Sequence, residues 1–272
     1  GKRVLEVQDL TIGYDEPLCT VNLEVMQSAK IAVIGPNGKG KSTLMKTLMQ
    51  QIPPLSGGFL LGHQIEIGYF DQELAQFDTT NTVIEEVWKD FPDLNRTEIR
   101  TALGCFLFSG DDVFKTVDCL SGGEKVRLSF VKLMLSHPNF LMMDEPTNHL
   151  DLIGKEALED SLSEYEGTML FVSHDRYFIN RFATRIWELT DGTITDYPCG
   201  FAQYRQMKAQ EEAEKAAAPK PEKEREKPAA ERPQRGNKAQ QAARRQLTIC
   251  ERDIAKAEER IAALEADMEA AA

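Results

Sequence analysis

The residues best suited to chemistry begin with Gly35-Pro36-Asn37-Gly38-Lys39-Gly40-Lys41-Ser42, between the apolar run Ile31-Ala32-Val33-Ile34 and a helical stretch starting near Thr43. Strand, glycine-rich loop and helix in that order make a P-loop, whose backbone N–H groups and helix N-terminus surround phosphate oxygens. Lys41 then reaches the terminal phosphates and Ser42 places a hydroxyl on Mg²⁺. A dinucleotide fingerprint has different glycine spacing and no Lys-Ser pair aimed at the phosphates. A second chemical group ends the apolar run Phe140-Leu141-Met142-Met143. There Asp144 can hold Mg²⁺, directly or through water, and Glu145 can take a proton from an attacking water. The competing reading is a salt-bridged or solvent-facing acidic pair.

Further candidates are single residues. His174 in Ser173-His174-Asp175 follows the strand-like Thr168 to Val172 and would bring a switchable donor to the same sheet edge, although a lone histidine is more often structural. Gln72 follows a short strand and reads equally as a surface glutamine. Tyr14, next to Gly13 in a turn, could stack on an adenine base or simply pack. Ser121-Gly122-Gly123-Glu124 opens a helix with a capping box, and its bare backbone donors also suit an anion.

These positions need an α/β scaffold. Phe140 to Met143 reads as a buried parallel strand, whose C-terminal end is where ligands gather in open α/β sheets. Arg3 to Leu10 and Thr20 to Met26 alternate like antiparallel edge strands, and short strands are expected at Phe59 to Leu61 and Ile65 to Tyr69. Helices are expected at Thr43 to Gln51, Thr82 to Lys89, Thr97 to Leu107, Leu120 to Ser136 and Gly154 to Tyr165. The second to fourth of these make a helical insertion over about residues 80–137. Arg185 to Leu189 and Thr193 to Thr195, turned at Asp191-Gly192, read as a final strand pair.

The chain has 272 residues and a formal charge of −12, which argues against a uniformly basic nucleic-acid surface. Cys19, Cys105, Cys119, Cys199 and Cys250 are scattered without metal-ligand spacing and read as reduced thiols in a cytoplasm. No apolar run is long enough for a membrane span. From about residue 207 the composition shifts. Residues 208–245 carry eleven Lys and Arg against seven Glu and read as a flexible or partly helical linker, with Arg232, Arg235, Lys238, Arg244 and Arg245 as a basic patch. Over residues 246–272, Leu247, Ile254, Ile261 and Met268 recur every seven residues, with Cys250, Ala257 and Leu264 between them. That is a coiled-coil seam, whose partner helix is another chain, a missing segment or the domain surface.

Taken together, the motifs resemble the ATP-binding cassette superfamily, and within it the ABC-F group of tandem-cassette proteins that act on ribosomes. Gly35 to Ser42 is similar to the Walker A loop, Leu120 to Glu124 to the signature, and Phe140 to Glu145 to the Walker B strand. Tyr14, Gln72 and His174 fall at the adenine-stacking, Q-loop and switch-histidine positions. The subgroup likeness rests on Asp144-Glu145-Pro146-Thr147-Asn148-His149-Leu150-Asp151 and on Ser173-His174-Asp175-Arg176-Tyr177-Phe178. The resemblance implies a cassette over residues 1–206, a linker over 207–245 and a coiled-coil segment after it. It implies ATP bound by Tyr14 and by Gly35 to Thr43, including Pro36, Asn37, Gly38, Lys39 and Gly40. Mg²⁺ would be held by Ser42, Gln72 and Asp144, and hydrolysis would use Glu145, His174, Lys41 and Gln72. Ser121, Gly122 and Gly123 would act in trans on ATP held by a second cassette. The implied function is a cytoplasmic translation factor contacting ribosome and tRNA; a DNA-associated ATPase and the ATPase subunit of a membrane transporter are the alternatives. The expected tandem partner is not in this sequence, so the chain is expected to be a fragment or to dimerise.

Overall fold

The computed structural model describes residues 2–71, 77 and 79–217. Gln72, the basic patch and the heptads therefore lie outside the described residues. The first half of the chain runs β1 (Arg3–Gly13), β2 (Pro17–Met26), β3 (Lys30–Ile34), α1 (Lys41–Leu48), β4 (Ser56–Leu61), β5 (Ile67–Asp71), α2 (Val83–Asp90) and α3 (Arg96–Cys105). Two 3-10 turns, Gly110–Phe114 and Val117–Cys119, lead into the second half. There follow α4 (Gly122–Leu135), β6 (Phe140–Asp144), α5 (Leu152–Ser163), β7 (Thr168–Val172), α6 (Arg176–Phe182), β8 (Arg185–Thr190), β9 (Thr193–Tyr197) and α7 (Phe201–Ala217).

A six-stranded sheet in the order β5-β6-β7-β3-β8-β9 is parallel except for β9. Its central strands are apolar at nearly every position because both faces are covered. Ile31, Val33, Phe140, Met142, Leu170 and Val172 face one core, which also holds Leu44, Met45 and Leu48 of α1 and the inner residues of β1 and β2. The alternate residues Ala32, Leu141, Met143, Met169 and Phe171 face the other core, built with α2 to α7. The separate antiparallel sheet, ordered β2-β1-β4, thus covers α1 and confirms the expected antiparallel edge.

The helical lobe between β5 and β6 is tied to the sheet through Phe130 of α4, stacked on Phe70 of β5 at 4.2 Å between centroids. Helices α2, α3 and α4 each begin with a complete capping box, Thr82/Glu85, Asn95/Glu98 and Ser121/Glu124. Each box satisfies N–H groups that a helix start otherwise leaves bare.

Two helices lie outside those expected above. Asp175 caps α6 through Tyr177 N and Phe178 N, and the helix buries Phe178, Ile179 and Phe182. In its turn, α7 crosses residue 207 and continues to Ala217, so the cassette-side helix extends into the stretch assigned to the linker. It is held by Glu188, which accepts hydrogen bonds from Tyr204 Oη at 2.8 Å and Tyr197 Oη at 3.2 Å and pairs with Lys208 Nζ at 2.7 Å. No helix among the described residues is long and apolar enough to cross a membrane.

Candidate nucleotide site

Parallel β3 and β6 both deliver their C-terminal ends to one edge of the sheet, which places the glycine loop beside Asp144 and Glu145. Gly35 turns the chain out of β3 in close contact with β8, where a Cβ would come within 2.3 Å of Leu189 O. Gly40 hands the loop to α1 at φ +106°, a conformation that side chains rarely adopt. The helix starts at Lys41, earlier than the expected Thr43, so Lys41, Ser42 and Thr43 form its first turn.

Asn37, Gly38, Gly40, Lys41, Ser42 and Thr43 line a cavity of about 300 Å³ together with Glu145, Asn148, Val172 and His174. Lys41 is buried, and its Nζ donates to the carbonyls of Gly35 at 2.9 Å and Pro36 at 3.0 Å. Burial pulls its ammonium below the ordinary lysine value, while Glu145 and Asp144 pull it back up. Lys39 is an exposed loop residue, and Tyr14 stands 63% exposed in the β1–β2 turn.

Asp144 is buried, accepts a hydrogen bond from Ser42 and has one oxygen, Oδ1, with no hydrogen-bond partner. Burial raises its pKa. The Ser42 hydrogen bond opposes that rise, the neighbouring Asp71 carboxylate adds to it, and Lys46 and Lys41 oppose it. Glu145 follows at φ +49°, in left-handed backbone. Its Oε2 accepts from His174 N at 3.2 Å, while His174 Nε2 stands 3.3 Å from Oε1 off hydrogen-bond alignment, leaving that oxygen unpartnered. Burial also raises Glu145, opposed by His174.

Buried, unpartnered carboxylate oxygens are costly in isolation. Here they adjoin a serine hydroxyl and a lysine, the donor set that takes a hard cation bridged to phosphates. The residues present therefore fit MgATP: Ser42 and Asp144 would hold the metal, and the loop N–H groups and Lys41 the phosphates. Bound Mg²⁺ supplies a divalent charge that neutralises phosphate oxygens.

The sheet edge unites most of the expected site residues, but not all. Ser121, Gly122 and Gly123 are not on the cavity wall. Ser121 and Gly122 are exposed, and Ser121 Oγ is engaged by Glu124 N at 3.3 Å. Asn148 also lines the cavity, a position that its sequence pattern does not signal.

This fold and site define an ABC-type ATPase domain, an ATP-hydrolysing enzyme module with ATP and Mg²⁺ as its cofactors. It is related to ABC-F and ABC transporter ATP-binding proteins. The family model described as ABC transporter matches residues 18–148. The protein YdiF of Bacillus subtilis (strain 168) is 52% identical over 219 residues, covering 79% of this chain and 34% of YdiF. ABC transporter F family member 2 of Arabidopsis thaliana is 40% identical over 230 residues, covering 80% and 34%. The chain thus spans about a third of the length of these relatives. Among solved structures, the dimeric post-hydrolysis state of the ATP-binding cassette MJ0796 bound to ADP and Pi superimposes with a TM-score of 0.60 at 21% identity. It covers 72% of this chain and 100% of that one, a likeness of fold.

Proposed function

We propose that the chain is one cassette of an ABC-F protein, in which ATP closes two cassettes on each other and hydrolysis lets them open. The observation that carries this reading is that the exposed Ser121-Gly122-Gly123 turn does not line the chain's own cavity. The nucleotide cavity is walled by Gly38, Gly40, Lys41, Ser42, Thr43, Glu145 and His174, whereas Ser121, Gly122 and Gly123 do not line it, and Ser121 and Gly122 are exposed. An exposed helix N-terminus that does not line its own cavity is suited to covering another nucleotide. The dimeric arrangement named for the MJ0796 cassette supports the same pairing. Lys41 holds phosphate oxygens, Ser42 and Asp144 the metal, with Gln72 as a further ligand. Glu145 takes the water's proton, His174 contacts the γ-phosphate, and Tyr14 stacks on adenine. Closure is a population shift driven by tighter ATP binding in the paired state.

We place the whole protein in the cytoplasm, on the ribosome and its tRNA, as a translation factor. The Asn148-His149-Leu150-Asp151 continuation, which resembles the ABC-F form, supports that placement. The test is ATP-dependent pelleting with ribosomes by the full-length protein carrying Glu145→Gln. ATP-dependent co-sedimentation supports the reading. Pelleting with duplex DNA instead moves the function to the DNA-associated alternative, and co-purification with a membrane permease moves it to the transporter alternative.

A further inference from the structure

Asp71 is a buried carboxylate to which the proposed mechanism gives no work. It ends β5 and pairs in register with Asp144, which ends β6. Paired residues of adjacent strands project from the same face of a sheet. Here that face is the one α1 covers. Two-residue alternation leads from Ile67 and Tyr69 to Asp71 and from Phe140 and Met142 to Asp144, and those four pack in the core that holds Leu44, Met45 and Leu48. Each carboxylate is only 8% exposed. Like charges side by side in a sheet and out of water repel, an arrangement that persists only where something offsets it.

Helix α1 supplies part of the offset. Lys46 stands four residues beyond Ser42, so the two side chains share one face of the helix. Ser42 hydrogen-bonds Asp144, while Lys46 Nζ lies 3.8 Å from Asp71 Oδ2, an oxygen that also accepts from Tyr69 Oη at 3.3 Å. At 3.8 Å the ammonium balances charge without a close hydrogen bond to that oxygen. Lys41, the neighbouring cation, donates to the carbonyls of its own loop. Lys46 therefore balances one of two carboxylates, beside the place where Ser42 and Asp144 would hold the metal.

Mg²⁺ retains several waters and is usually held by one or two carboxylates together with substrate phosphates. Groups that hydrogen-bond to what the ion itself holds tune its affinity. We propose that Asp71 is the second carboxylate of the Mg²⁺ site, a positioning residue that accepts from waters the ion retains, with Lys46 as the cation that competes with the metal for it. This inference rests on the assignment of the metal to Ser42 and Asp144.

The test measures the Mn²⁺ affinity of the ADP-bound full-length protein by electron paramagnetic resonance, and ATP affinity by calorimetry with divalent ions chelated. Asp71→Asn is expected to weaken Mn²⁺ binding about 10-fold or more, as loss of an outer partner at a metal site does, with metal-free ATP affinity within about 2-fold. Lys46→Met removes a competing positive charge and should strengthen Mn²⁺ binding at least about 2-fold. A purely structural ion pair would move both variants in the same direction. Wild-type Mn²⁺ affinity in Asp71→Asn would overturn the proposal, as would weaker Mn²⁺ binding in both variants. Unchanged Mn²⁺ affinity in Asp144→Asn would remove the underlying metal assignment instead, so the two failures are separable.

Discussion

The phosphate loop and the Ser121-Gly122-Gly123 turn are both glycine-bearing helix starts, yet their states differ. At the phosphate loop, buried groups are left wanting. Lys41 is spent on two carbonyls of its own loop, and Asp144 Oδ1 and Glu145 Oε1 lack hydrogen-bond partners. At the turn, Ser121 Oγ accepts from Glu124 N and Glu124 Oε2 accepts from Ser121 N at 2.8 Å, so the helix start is complete within its own chain. The first pattern leaves buried oxygens that a bound cation would satisfy, while the second is a surface with residual N–H groups. One sequence therefore carries two glycine-bearing helix starts of opposite kinds, and under the proposed pairing the first is a receptor and the second a lid for another cassette's nucleotide.

The largest effect that could break this contrast is on the base. Glu145→Gln is expected to lower turnover by at least about 100-fold while ATP affinity stays within about 2-fold, read by steady-state hydrolysis and calorimetry. Turnover close to wild type would show that the Glu145 carboxylate is no base. Next in size, Lys41→Ala removes a charged phosphate donor. It should weaken ATP binding about 10- to 100-fold, a range set by the ~1.5–3 kcal/mol typical of charged hydrogen bonds. Affinity equal to wild type would detach Lys41 from the phosphates.

The smallest effect concerns stability, and its sign runs against intuition. Asp144 is raised by burial, so its contribution to folding is present below the ordinary carboxylate value and lost as pH rises through its folded value. Asp144→Asn should therefore make the nucleotide-free protein about 0.5–2 kcal/mol more stable near neutral pH, with no gain at low pH where wild-type Asp144 is already protonated. It should also abolish the added stability that MgATP confers. Denaturant melts at several pH values, with and without MgATP, check all three statements. A nucleotide-free variant less stable than wild type at neutral pH would contradict the frustrated-receptor picture.

The sequence made the receptor legible because its glycines are dictated by backbone conformation and its strands by double-sided burial. The Ser121/Glu124 box was legible because a cap is a local hydrogen-bond pattern. Short α6 is not legible in the sequence because Arg176–Phe182 is too brief to establish a period, and its signal is the Asp175 cap alone. The reach of α7 was hidden by its charged composition. Its position depends on Tyr204 packing edge-on against Tyr197, with Phe201 stacked on Tyr204, and on the bonds to Glu188, which are tertiary facts. Asn148 was read only as part of a family-like motif. Its place on the cavity wall follows from left-handed turns at Glu145 and His149, where no glycine announces them.

The most direct measurement of the receptor-and-lid division is Gly122→Asp in the full-length protein, assayed for ATP affinity and turnover together. Gly122 is exposed, has open space where a Cβ would go, and is not on the wall of its own cavity. Unchanged affinity at the intact Lys41 site with turnover reduced about 10-fold or more is the predicted result, since the added carboxylate repels phosphates covered from another cassette. A matching loss of ATP affinity at the chain's own cavity, or turnover equal to wild type, would contradict it.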